Sequence, residues 1–69
     1  MLLRLSNPAL LPDLRQHFAR SGFSVADEGE SLRVGRAHAP SAEQERREVE
    51  MHLRVWQMMH PDAQVEVAP

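Results

Sequence analysis

The chain has 69 residues, of which 42% are hydrophobic and 26% charged, and its eight basic and ten acidic side chains leave a formal charge of −2. It has no cysteine, which removes disulfide scaffolds and thiolate metal sites, and no apolar run reaches the ~18 residues of a membrane span. A slightly acidic chain also lacks the excess of cations from which nucleic-acid binders draw their affinity. One small domain over residues 1–69 is expected, with the cytoplasm as its default location. Arg4, Asn7 and Pro8 interrupt the apolar opening, and no signal-type cleavage site follows it.

Leu2-Leu3-Arg4-Leu5 places Leu3 and Leu5 on one face and Arg4 on the other, the period-2 pattern of a half-buried strand. Asn7 is a natural N-cap with Pro8 in the first turn behind it. Leu10, Leu14 and Phe18 then recur at spacing four as one apolar stripe. Pro12 delays the regular helix to about Pro12-Asp13, and Gly22 suits the position just past its end.

Phe23-Ser24-Val25-Ala26 and Ser31-Leu32-Arg33-Val34 are two further alternating runs. Asp27-Glu28-Gly29-Glu30 joins them, with Gly29 supplying the positive φ of a hairpin loop. Ser41 followed by Gln44 reads as a capping box and opens a second helix. That helix runs to about Met59, because His60 precedes Pro61 and is pushed out of the α region. After a turn at His60-Pro61-Asp62-Ala63, Gln64-Val65-Glu66-Val67 closes the chain as a fourth strand.

The predicted order is β-α-β-β-α-β, each strand having one apolar face and each helix one apolar stripe. The economical arrangement is an α+β, ferredoxin-like sandwich: a four-stranded antiparallel sheet with two helices on one face. The right-handed crossover rule favours strand order 4-1-3-2.

At ~100° per residue, Val49, Leu53, Trp56 and His60 of the second helix share one sector facing the sheet. Glu43, Arg47, Glu50, Arg54 and Gln57 lie on the other side, with Glu43/Arg47 and Glu50/Arg54 as i,i+4 pairs. Met51, Val55 and Met58 form a second apolar line that cannot lie on the same sheet. Either it touches the first helix or it is exposed and meets another chain, a use for which methionine's adaptable shape is suited. The second strand is a sheet edge, and Phe23-Ser24-Val25-Ala26 has no Lys, Pro or inward charge to discourage pairing. Phe23, Ser24 and Val25 therefore join Met51, Val55 and Met58 as candidate interface residues.

Chemistry is harder to find. Gly22, Gly29 and Gly35 are isolated, so there is no phosphate loop, and each serine has a turn, strand or cap explanation. Asp27, Glu28 and Glu30 crowd an exposed hairpin tip that would not raise a carboxyl into the range of a general acid. His17, His38, His52 and His60, with Met51, Met58 and Met59, suggest a soft-metal site. However, His52 and His60 stand ~12 Å apart along a helix and no His-x3-His pair exists. No enzyme, no metal and no cofactor is expected. The open sheet face would carry Arg4, Ser24, Ala26, Arg33, Gly35, Gln64, Glu66 and Ala68, with no aromatic on which a base could stack. The expectation is a non-enzymatic interaction module, a homodimer or the binder of a protein partner, with no nucleic acid and no membrane.

One stretch suggests an alternative. Leu5-Ser6-Asn7-Pro8-Ala9-Leu10-Leu11-Pro12-Asp13-Leu14, followed by Ser21-Gly22-Phe23-Ser24-Val25, resembles the opening of an ACT domain. The resemblance implies a β-α-β-β-α-β chain that dimerises through its sheet and senses a small molecule, commonly an amino acid, near the first strand–helix turn. It makes Asn7, Pro8 and Ala9 the ligand-side residues; Ala9 stands where the family has glycine.

Overall fold

The computed structural model describes residues 1–68. Its elements are β1 (Leu2–Leu5), α1 (Leu11–Arg20) preceded by a single 3-10 turn (Pro8–Leu10), β2 (Ser24–Glu28), β3 (Ser31–Gly35), α2 (Ala42–Met59) and β4 (Val65–Ala68). The strands form one antiparallel sheet in the order β2-β3-β1-β4, which is the ferredoxin-like βαββαβ arrangement.

The two prolines shape the entry to α1. Asn7 is extended, and its Oδ1 accepts the Ala9 N–H at 3.1 Å. Pro8 then starts a tight 3-10 turn, which becomes α-helix at Leu11 with Pro12 as its second residue. A first-turn N–H has no partner within a helix, so Pro12 sacrifices no bond there and does not hold the helix back to its own position.

The exit from α1 differs more from expectation. Gly22 has φ +88°, its N–H reaches Ala19 O at 3.2 Å, and the Phe23 N–H reaches Phe18 O at 3.1 Å. This is a Schellman motif, completed by the apolar contact between its third-last helical residue and the residue after the glycine. Those residues are Phe18 and Phe23, edge to face at 5.2 Å. Phe23 is thus the end of the cap and the strand starts at Ser24. Only 5% of Phe23 is exposed.

The hairpin is also tighter than its sequence suggests. Pairing continues through Asp27↔Leu32 and Glu28↔Ser31, leaving Gly29 and Glu30 as the loop. Gly29 has φ +63° and Glu30 has a negative φ, the signs of a type II′ turn. Ion pairs support the acidic residues within the ladder. Asp27 meets Arg15 of α1 at 3.6 Å, and Glu28 binds Arg33 of β3.

Alternation sends Leu3, Leu5, Leu32 and Val34 beneath the helices, where they pack with Leu14 and Phe18 of α1 and Val49, Leu53 and Trp56 of α2. Val25, Val65 and Val67 border this core. On the open face, Arg4 stands opposite Glu66. Ser41 caps α2 as expected, its Oγ accepting the Gln44 N–H at 3.1 Å. No helix among the described residues is long and apolar enough to cross a membrane.

Candidate functional site

The second helix presents two apolar lines because its apolar residues follow two phases of the helical period. Val49, Leu53 and Trp56 point into the core. Met51, Val55 and Met58 are turned roughly 180° away on the 3.6-residue period. They are 58%, 47% and 78% exposed, and Met59 beside them is 60% exposed. The alternatives left open by the sequence are thereby resolved at the level of burial: this line does not pack on α1.

A different flank of α2 meets α1. His17 Nε2 lies 3.1 Å from His52 O, and the rings of Phe23 and His52 meet at 5.1 Å. Arg36 closes the same side. Its backbone N–H donates to Glu45 Oε2, its guanidinium donates to Glu48 Oε1 and Ser21 O, and its Cζ lies 4.4 Å from the centroid of the Phe23 ring. His52 is about 100° around the helix from Met51, so a contact made through His52 leaves the methionines outside.

Charges border the methionine line on its other side. Arg47 donates to Glu43 at 3.2 Å, the expected pair. Glu50 accepts from Arg46 at 3.1 Å instead of from Arg54. Both arginines are four residues from Glu50, and with that carboxylate engaged, Arg54 has no ion pair among the described residues.

The sheet-edge candidates separate. Phe23 is in the core and cannot contribute its side chain to an edge contact, a correction that follows from its place in the helix cap. Val25 is half-buried on the helix side, and Ser24 is exposed with its hydroxyl on Gly35 O at 3.0 Å. Asp27, in register with the buried Leu32, places a charge on the helix side of this edge strand. Inward charges of that kind discourage strand addition. In the sequence the edge reads as unprotected because the alternating run ends at Ala26, before Asp27.

The turn residues Asn7, Pro8 and Ala9 are all exposed. Asn7 borders a cavity of about 370 Å³ whose other walls are Leu10 and residues 59–63. Pro8 and Ala9 are not among its walls, and the Asn7 Oδ1 is engaged by Ala9 N–H.

His60, which the helical wheel placed over the core, has a more specific role. Its ring stacks on Trp56 at 4.2 Å and 17°. Nδ1 lies 3.0 Å from Trp56 O and Nε2 lies 2.6 Å from Asp13 Oδ2. A carbonyl oxygen can only accept, so Nδ1 donates to Trp56 O, and Nε2 faces the Asp13 carboxylate. Asp13 sits in the first turn of α1 and His60 at the end of α2. The pairing of Asp13 with His60 is tertiary and has no signal in the local sequence.

Among the described residues, no three His, Asp or Glu side chains converge in a way that could hold a metal ion. Among the described residues, the pronounced electrostatic perturbation is at the hairpin. The hydrogen bond from Arg33 holds the Glu28 carboxyl below the ordinary glutamate range, and Glu28 in turn raises Arg33. No family model matches the chain, nor does any curated protein or solved structure.

Proposed function

We propose that the chain is a non-enzymatic interaction module that self-associates, with the Met51/Val55/Met58 face of α2 as its contact surface. The observation that carries this reading is the exposure of these three side chains on the line of α2 turned away from the core, with Met59 exposed on its flank. A surface helix ordinarily places charged and polar groups there. The strip and the flanking Met59 together make a patch on the order of 400 Å², the size at which interaction sites are found on small proteins. Two copies joined on this strip, with the charged residues along its border, approach the ~1,200 Å² of a small stable interface. A domain of this length buries a smaller share of its chain surface than a larger one does, so association also supplements its core.

Light scattering during size-exclusion chromatography tests the reading across a concentration series. The expected result is a dimer that Met51→Glu and Met58→Glu dissociate, while Ala26→Lys on the exposed edge strand leaves it intact. A monomer at millimolar concentration would overturn self-association. A dimer lost only with Ala26→Lys would move the contact to the sheet edge.

The cavity beside Asn7 favours a second reading, a small-molecule sensor of the ACT kind. A thermal-shift screen against amino acids separates the two. A ligand that raises the melting midpoint of the wild type but not of Asn7→Ala supports the sensor; no shift with any amino acid removes it.

A further inference from the structure

We infer that the groove between α1 and α2 is a binding site for a small monocarboxylate with an apolar body, whose oxygens take the Arg20 guanidinium and the indole N–H of Trp56. The site lies apart from the strip assigned to self-association and does not depend on it.

The starting observation is an unsatisfied donor. Trp56 is 1% exposed, and its Nε1 is cut off from bulk water with no hydrogen-bond acceptor among the described residues. Buried donors in native proteins are nearly all paired, with the protein or with an ordered molecule. Arg36 Nε is also unpartnered, but that guanidinium is already held through both of its terminal nitrogens. The indole has one donor and no such alternative. His60 covers a face of the ring, whereas the N–H lies in the ring plane, so the stack does not serve it. Trp56 is also a wall of a cavity of about 250 Å³ between the two helices.

The other walls set the chemistry of the guest. Asp13, Gln16 and Arg20 share one face of α1 at helical spacing, and Met59 and His60 stand across from them on α2. Arg4, Arg20 and Arg54 have no ion pair among the described residues. Arg54 is on the charged face of α2, and Arg4 shares its cavity with the Glu66 carboxylate. The acid in the cavity of Arg20 is Asp13, about two turns or roughly 10 Å away along the axis, and it already faces His60. Gln16, one turn before Arg20, adds amide donors on the same face. A planar guanidinium beside a planar amide suits a carboxylate. The two carboxylate oxygens offer about four acceptor sites, enough for the arginine and the indole together. Met59 stands on the helical wheel between the exposed strip and Trp56, and its unbranched thioether is the wall that shifts to admit an apolar body. The volume is below that of drug-sized sites, which limits the guest to on the order of ten non-hydrogen atoms.

The sole tryptophan gives one indole resonance in a proton–nitrogen correlation NMR spectrum, a direct report on the proposed bond. Benzoate is the probe, with benzamide as its uncharged counterpart and chloride as a generic anion, at constant ionic strength and protein concentration. Benzoate should move the indole resonance saturably with a Kd on the order of 1 mM, while benzamide and chloride should not. Arg20→Gln should weaken benzoate about tenfold, and Arg54→Gln should leave it unchanged. Met51→Glu, which breaks the proposed dimer, should also leave the titration as it is, so the two readings fail separately. The inference is overturned if benzoate produces no saturable movement, if benzamide acts equally, or if Arg20→Gln binds as the wild type does. An indole N–H that exchanges magnetisation with a bound water which benzoate does not displace would overturn it as well.

Discussion

Replacing His60 by alanine breaks three contacts at once and leaves the backbone cap intact, because the His60 N–H bond to Gln57 O does not depend on the side chain. The lost stack on Trp56 contributes about 1 kcal/mol. The Nδ1–H bond to the Trp56 carbonyl contributes about 1 kcal/mol more. The contact with Asp13 adds only a few tenths, roughly 0.3 kcal/mol, because the aspartate is half exposed and solvent screens it. The expected loss is therefore about 2 kcal/mol, or on the order of 10 °C in melting midpoint for a domain of this size. His60→Phe keeps the stack and should recover about half of that. Trp56 is the sole tryptophan and lies under the imidazole, so its fluorescence in a urea titration reports the contact directly. Protein concentration must be held constant, since dimerisation shifts the midpoint. The reasoning fails if His60→Ala costs less than about 0.5 kcal/mol, or if phenylalanine is no better than alanine.

Gly22→Ala should destabilise by about 1–2 kcal/mol, all of it from backbone conformation, because φ is +88° and an added Cβ meets no atom within 4 Å; Gly22→Asn should lose less, and equal urea midpoints for wild type and alanine variant would contradict the Schellman geometry. Ser41→Ala should cost about 1 kcal/mol through the lost cap on Gln44 N–H, with Ser41→Asp restoring it in the same titration. Glu28 has a folded-state pKa below its unfolded value, so its contribution to stability is present above the ordinary glutamate range and is lost as pH falls through the lowered folded value. NMR titration of the Glu28 carboxyl should show the depressed midpoint, and Arg33→Gln should move it upward; an unchanged midpoint in that variant would show that Arg33 is not the cause.

Much of the fold is legible in residue spacing. Leu3/Leu5, Leu32/Val34 and Val65/Val67 alternate as half-buried strands do, and Ser41 with Gln44 marks the start of α2. Elements that depend on capping chemistry are read less well by periodicity. Phe23 fits the alternating pattern of the following strand, yet it also lies five residues after Phe18 with Gly22 between, which is the spacing of a Schellman cap and its apolar contact. That second signal was available and would have removed Phe23 from the edge. Asp27 and Glu28 read as loop because charged residues are depleted in strands; their partners Arg15 and Arg33, which hold them in the ladder, are distant or across the hairpin. The candidate surface on α2 was legible as a line of residues, but its exposure was not, since the wheel alone does not say which flank of α2 meets α1. The choice of His52 and Glu48 for that contact is a property of the packed structure.

The placement of sulfur has a consequence of its own. Met51, Met58 and Met59 stand on the exterior, and the fully buried side chains include no thioether. In the dissociated chain a mild oxidant therefore reaches these three before anything in the interior, converting each to a polar sulfoxide. Peroxide would roughen the outside of α2 and leave the packing beneath it alone, so mass spectrometry should count added oxygens while the circular dichroism spectrum stays that of the untreated chain.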